Sequence, residues 1–120
     1  MPSVSSSVQR GVVEALKRKG FYSNSLVIGF GDNGGDITTG ASNFPYRGTK
    51  STVWEGGTKS ASFVHSPNPA IVPAERRGTE SHTLAHVSDW YPTLIALAGG
   101  EPASVDAGKP LDSHDVWACR

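Results

Sequence analysis

Asp32 and Asn33 sit where an apolar run, Leu26-Val-Ile-Gly-Phe-Gly, gives way to two further glycines, Gly34 and Gly35. A carboxylate beside an amide oxygen is a hard donor pair, suited to calcium or magnesium. Neighbouring residues on a regular strand point to opposite faces, so the two oxygens can share one ion only if the chain bends between them. The flanking glycines permit that bend. Asp, Asn and Gly are also the commonest turn formers. On this stretch alone, the pair reads either as part of a metal site or as an ordinary turn.

The elements around the pair decide where it stands. Leu26 to Phe30 contains no polar residue, which predicts a strand covered on both faces, as in a parallel sheet flanked by helices. Such sheets bind ligands at the carboxyl ends of their strands, the end that Asp32 and Asn33 occupy. Upstream, Val4, Val8, Val12 and Leu16 recur every four residues with Ala15 alongside, one stripe of an amphipathic helix over Val4–Lys19. Ser6 and Gln9 have capping-box spacing, Lys17, Arg18 and Lys19 suit the negative carboxyl end, and Gly20 is a natural stop, while Gly11 weakens the helix slightly. Helix, short connection and parallel strand make half of an α/β crossover unit.

Downstream, Asp36 to Asn43 is polar and aperiodic and reads as a loop. Asn43 to Gly57 holds three glycines, Arg47, Lys50, Glu55 and three large aromatics, Phe44, Tyr46 and Trp54. That mixture is poor helix and poor strand, and its aromatics predict anchoring of a working loop. A short strand is expected over Ala61–His65, ended by Ser66-Pro67-Asn68-Pro69, then an exposed connection over Ala70–Ser81. Thr83–Ser88 reads as a weak strand or an entry segment. A second helix follows, capped by Ser88 or Asp89, with Pro92 in its first turn, an apolar face of Trp90, Leu94, Leu97 and Ala98, and Gly99-Gly100 as its stop. Glu101 to Lys109 is expected to be a linker.

The 120 residues suffice for one small domain, and no second is expected. Eleven basic and eleven acidic residues cancel, so no concentrated positive field favours nucleic acid or a membrane surface. Cys119 is the single cysteine and can form no internal disulfide. No apolar run approaches membrane-spanning length, and the start lacks the apolar core of a signal peptide, so the chain as it stands carries no route to secretion. None of His65, His82, His86 and His114 has a paired orienting group in the sequence, and the four read as structural.

Four strings, taken together and in register, carry a resemblance. They are Gly31-Asp32-Asn33-Gly34-Gly35; Pro45-Tyr-Arg47-Gly48-Thr-Lys50 with Trp54-Glu55-Gly56-Gly57; His86-Val-Ser-Asp89-Trp-Tyr-Pro92-Thr93-Leu94; and Pro110-Leu-Asp112 with Asp115-Val-Trp117. From about Val12 to Trp117 the chain resembles the sulfatases, and among them the arylsulfatase B group. The resemblance implies part of an alkaline-phosphatase-like α/β fold whose complete site binds calcium and cleaves sulfate esters of sugars or aryl compounds. It matches Asp32 and Asn33 to calcium ligands and Lys50 to the lysine that holds the sulfate. Arg47 and Glu55 are expected to fix the loop of Lys50 by an ion pair or backbone hydrogen bonds, and Trp54, Trp90 and Trp117 to be core aromatics. Lysosomal or secreted residence is what the family implies.

The departures from the family pattern matter equally. The Cys-x-Pro-x-Arg motif that yields the formylglycine nucleophile is absent, as are the amino-terminal pair of acidic ligands and the upstream lysine and histidine. Gly31 stands where Ser or Thr is usual, and Ser5-Ser6-Ser7-Val8-Gln9 replaces the acidic signature near the first helix. The expectation is therefore a carboxy-side piece of a catalytic domain, from a truncated gene model, an alternative exon or a degenerate copy, inactive alone and with exposed strand edges and apolar surface. Two other readings remain at this point: a non-catalytic remnant that binds a metal or a partner, and a phosphoryl-transfer relative on the same fold.

Overall fold

Helix α1, Val4–Arg18, opens the part of the chain that the computed structural model describes, residues 4–102 and 109–117. Lys17 and Arg18 occupy its last turn. Gly20, at a φ of 75°, turns the chain out of the helix while its amide donates to the Lys17 carbonyl and that of Phe21 to the Leu16 carbonyl. Leu16, Ala15 and Val13 are half-buried and Val12 is exposed, so the covered face is rotated from the predicted stripe. The side chains of Val4, Val8 and Ser6 lie outside the described residues.

A 3-10 turn, Tyr22–Asn24, leads into strand β1, Val27–Phe30. Strand β2, Ser62–His65, lies beside it with Val27 opposite His65 and Phe30 opposite Ser62. The pairing is antiparallel, which corrects the parallel-type sheet that the sequence predicts for these strands. An apolar run reports how much of a strand is covered, not the direction of its partner. Here the chain between the strands folds back on itself at the Asp32 end. The Gly31 amide donates to the Ala61 carbonyl and the Ser60 hydroxyl to the Gly31 carbonyl, returning β2 alongside β1 in the opposite sense. Cover on both faces is also not observed, since Val27 to Gly29 are half-buried and Phe30 is 49% exposed. Gly29 leaves room for the Phe63 ring, which a Cβ there would approach to 2.2 Å. Beyond β2, the buried Ser66 hydroxyl donates to the Ser25 carbonyl at 2.7 Å and accepts from the Asn68 amide, closing the strand pair at its other end.

Helix α2 is a single turn, Glu55–Thr58, and helix α3 spans Trp90–Leu97. The chain divides into two compact units, one up to Gly78 and the other from Thr79. In the second unit Thr83–Ser88 forms no strand. Its end is a helix entry: a 3-10 turn, Val87–Asp89, runs into α3. Asp89 stands at the N-cap of α3, one of the two predicted positions, but makes no capping bond there; the side-chain cap is made one turn earlier by His86. His86 Nδ1 accepts from the Ser88 amide, and Asp89 reaches back to accept from the His86 amide at 2.7 Å. The second Asp89 oxygen accepts from the His114 amide at 3.1 Å, and the fully buried Thr93 hydroxyl accepts from the Val116 amide at 3.0 Å. Asp115 accepts from the Trp117 amide in an Asx turn. Most of the expected linker, residues 103–108, and Cys119 lie outside the described residues.

Among the described residues, no helix is long and apolar enough to cross a membrane. Phe21, Phe44, Val53 and Leu84 are prominent among the exposed large apolar side chains, in keeping with the expected apolar surface.

Asp89 ties the 109–117 segment to α3, and the amides of His86 and then His114 hold its carboxyl below the ordinary 3.8. A depressed carboxylate pKa contributes stability above the unfolded value and loses it as pH falls through the folded one. Acidification below 3.8 should therefore release the His86 and His114 amides together, as read by hydrogen exchange. Asp89→Ala should cost about 1 kcal/mol, the size of a lost helix cap, and should remove this acid sensitivity.

Candidate functional site

The chain leaves β1 at Gly31 and bends through Asp32 and Asn33. The Asp32 carboxylate is exposed and, among the described residues, accepts no hydrogen bond. Asn33 is half-buried, and its Nδ2 donates to the Gly34 carbonyl at 2.8 Å. That bond uses the amide nitrogen and leaves Oδ1 as the acceptor. An accessible carboxylate next to an oriented amide oxygen fits part of a calcium shell, which takes six to eight oxygens. Among the described residues, no group of three His, Cys, Asp or Glu converges to hold a metal. Asp32 and Asn33 offer one carboxylate and one amide oxygen on this bend.

The next two residues hold the second loop in place. The Gly34 amide donates to the Gly57 carbonyl at 2.9 Å. Gly34 is buried so closely against α2 that a Cβ would fall 1.8 Å from the Gly56 carbonyl oxygen. Gly56 in turn meets the Gly48 carbonyl, and Gly57 the Thr52 carbonyl, at hypothetical Cβ distances of 2.4 and 2.3 Å. Three backbone segments meet here with no side chain between them.

Around this contact Asn43 acts as a clamp. Its Oδ1 accepts from the Gly35 amide at 2.7 Å, and its Nδ2 donates to the Gly35 and Gly48 carbonyls at 2.8 and 3.2 Å. The Thr49 hydroxyl donates to the Gly35 carbonyl and accepts from the Ile37 amide, while the Lys50 amide donates to the Gly35 carbonyl at 3.2 Å. The loop that carries Lys50 is therefore fastened to the two residues that follow Asp32 and Asn33. Lys50 is exposed, and its positive charge reaches Asp36. The Asp36 carboxyl is held below the ordinary 3.8, first by its bond from the Thr38 hydroxyl, then by the Thr38 amide, with a smaller contribution from Lys50.

The aromatic residues of this loop do not anchor it as expected. Trp54 is 48% exposed rather than a core residue, and its ring carries the Arg47 guanidinium 4.0 Å from the centroid. Arg47 fixes the loop through its carbonyl, which accepts from the Gly56 amide at 2.8 Å. Phe44 is 91% exposed. Backbone and amide hydrogen bonds hold the loop, so the rings are left at its surface.

Sequence reasoning passed over Lys59. Its ammonium lies 4.4 Å from the Tyr46 ring centroid. A hydrogen bond with Tyr46 is the first of the influences that raise its pKa above 10.5. Lys59, Phe44 and Tyr46 line a cleft of about 410 Å³ together with Asn33. Nothing in the local pattern marked Lys59, because its placement depends on α2 turning back toward Tyr46. The histidines are elsewhere: His65 meets the Tyr22 hydroxyl at 2.8 Å, and His86 caps a helix.

The model of the sulfatase family matches residues 7–100. The chain belongs to the sulfatase family. It is 49% identical over 106 residues to arylsulfatase J of Mus musculus, covering 88% of this chain and 16% of that protein. It is 34% identical to steryl-sulfatase of Rattus norvegicus, covering 88% of this chain and 18% of the relative. A solved structure of Ps i-CgsB in complex with k-i-k-neocarrahexaose is 40% identical, with a TM-score of 0.73 over 93% of this chain and 24% of that one. The likeness gives the fold as a fragment of the alkaline-phosphatase-like sulfatase fold. Steryl-sulfatase and N-acetylgalactosamine-6-sulfatase also align, at 34% and 35% identity, so the match supports the sulfatase family without singling out the expected arylsulfatase B group. This sulfatase segment spans less than a fifth of the curated relatives' length in these comparisons.

The glycine contact predicts opposite effects for two identical substitutions. Gly34→Ala should destabilise the two-loop assembly by about 2 kcal/mol or more, accelerating exchange of the Lys50 and Gly56 amides by roughly 30-fold. Gly11→Ala, where nothing lies within 4 Å of the added Cβ, should stabilise α1 by about 1 kcal/mol. Equal effects at the two positions would show that the close backbone approach is not what holds the loops.

Proposed function

We propose that this chain forms the part of an arylsulfatase-type sulfuric ester hydrolase that holds calcium and sulfate, with Asp32 and Asn33 as calcium ligands and Lys50 as the sulfate-binding cation. The observation that carries this reading is the fastening of the Thr49 hydroxyl and the Lys50 amide to the Gly35 carbonyl, two residues after Asn33. It joins the loop of a hard-oxygen donor pair to the loop of a lysine, the two groups this reading needs to hold a sulfate-ester anion.

Cleavage of a sulfate ester concentrates negative charge on the sulfate oxygens and on the leaving oxygen. Bound calcium would supply positive charge toward those oxygens. Lys50 would add a second, fixed cation and act electrostatically, not as a base. Asp36, kept ionised by its bonds from Thr38, adds a negative charge near Lys50. The sequence contains no Cys-x-Pro-x-Arg, so the share of the reaction assigned to these residues is binding and orientation, and the polypeptide alone should show no turnover. A second reading is a non-catalytic sulfatase-like protein that retains metal or anion binding.

In the first reading the substrate is a sulfate ester. Relatives named for aryl, steryl and N-acetylgalactosamine-6-sulfate substrates share the sulfate and differ in the alcohol. The relative solved with k-i-k-neocarrahexaose favours a sulfated sugar for this chain.

Calorimetric titration tests the assignment. The chain should bind calcium with a dissociation constant on the order of millimolar, as expected for an incomplete shell. Asp32→Ala should abolish binding, and Lys50→Ala should leave calcium affinity unchanged while removing the response to inorganic sulfate added with calcium. Calcium binding that survives Asp32→Ala intact would refute the ligand assignment. Turnover of an aryl sulfate by the chain, lost on Lys50→Ala, would refute the non-catalytic reading.

A further inference from the structure

The cleft beside Asn33 has two features that holding calcium and sulfate does not require. One is Phe44, a ring exposed over 91% of its surface although it lies next to the clamp residue Asn43. The other is Lys59, held over the Tyr46 ring at the same cleft. Their neighbours in the lining include the hydroxyl residues Ser42 and Ser60. The Ser60 hydroxyl is spent on the Gly31 carbonyl, which fixes that wall.

We infer that this cleft binds an anionic pyranose ring, with Phe44 against its apolar face and Lys59 paired with its carboxylate or sulfate. The inference rests on the reading of Asn33 as a calcium ligand, because Asn33 lines the cleft and so sets the bound ring beside the reacting sulfate. The chemistry points to a sugar more than to an aromatic acid. A pyranose presents C–H groups on one face and hydroxyls around its edge, matching the exposed rings of Phe44 and Tyr46 set among amide and hydroxyl groups. Apart from the two rings and Lys59, the lining is largely glycine, asparagine and serine, which suits a hydroxyl-rimmed sugar better than an aromatic acid. The cation must be held in place to select an anion, and the Tyr46 ring restrains the flexible lysine stem. A cleft of about 410 Å³ has room for one such ring with its substituents. Phe44 and Lys59 would then set which sulfated saccharides are accepted, by reading a charged ring adjoining the one that carries the scissile ester.

Ligand-observed saturation-transfer NMR on the 120-residue chain tests this with three probes. These are methyl β-glucuronide, the uncharged methyl β-glucoside, and 4-methylbenzenesulfonate as an anionic aromatic. The glucuronide should bind at least about fivefold more tightly than the glucoside, with saturation strongest at its ring C–H protons. Phe44→Ala should weaken it about fivefold, as expected for loss of one ring contact. Lys59→Gln should remove the preference for the charged sugar, and Lys59→Arg should restore it. Equal binding of the two sugars, stronger binding of the sulfonate than of the glucuronide, no binding of any probe, or indifference to both Phe44→Ala and Lys59→Gln would each overturn the inference. Calcium titration separates this outcome from the underlying reading. If Asp32→Ala abolishes calcium binding while Phe44→Ala leaves glucuronide binding unchanged, the metal assignment stands and the sugar cleft falls. If Asp32→Ala leaves calcium binding intact, the calcium reading falls and takes with it the placement of the ring beside a reacting sulfate.

Discussion

The contact of Gly34 with Gly56 is the constraint on which the site depends. It is a backbone-on-backbone approach close enough to exclude any Cβ, and it fixes the distance between the bend after β1 and the loop ahead of α2. Each other fastening has its geometry only because these backbones meet. The Asn43 clamp reaches both Gly35 and Gly48, and the Thr49 hydroxyl bridges Gly35 and Ile37. A side chain at Gly34 would hold the loops apart and break several of these bonds together. The glycines here serve proximity rather than unusual backbone angles, since Gly34, Gly56 and Gly57 have no positive φ.

This mode of construction explains how a segment with few buried apolar side chains can still place charged groups accurately. Val72 is its buried hydrophobic residue among the described ones, while Ser66 and Thr93 are the fully buried side chains. Each of those two hydroxyls bonds backbone distant in sequence, Ser66 to Ser25 and Thr93 to Val116. Buried polar groups with partners specify geometry more sharply than apolar contacts do, because any displacement leaves them unpaired in a low-dielectric setting. Asp36 and Asp89 extend the same logic to the surface, each carboxylate being held by backbone or hydroxyl donors.

Much of the local structure was legible in the residues. Gly20 as a stop for α1, Pro92 inside the first turn of α3 and Gly99 as its terminator follow from backbone rules that act within a few residues. The strand direction was not legible, because the apolar run Leu26–Phe30 carries no information about its partner. Nor was the capping role of His86, since an imidazole nitrogen accepts only in one tautomer and its type gives no cap signal. Trp54 and Phe44 were read as anchors from their size alone, whereas the loop is held by Asn43 and Thr49. Lys59 escaped notice because its position depends on a turn of helix four residues long. At the site, the strings around Asp32 and Lys50 pointed to the family, and the structure adds the backbone bonds that join the two strings.

The central claim is that Asp32, Asn33 and Lys50 form one site around one cation. Paramagnetic NMR with gadolinium in place of calcium addresses it most directly. The account predicts that substoichiometric gadolinium broadens the amides of Asp32 to Gly35 and those of Thr49 and Lys50 in parallel, with a single binding constant. Broadening confined to Asp32 to Gly35, or centred on another carboxylate such as Asp112, would contradict it.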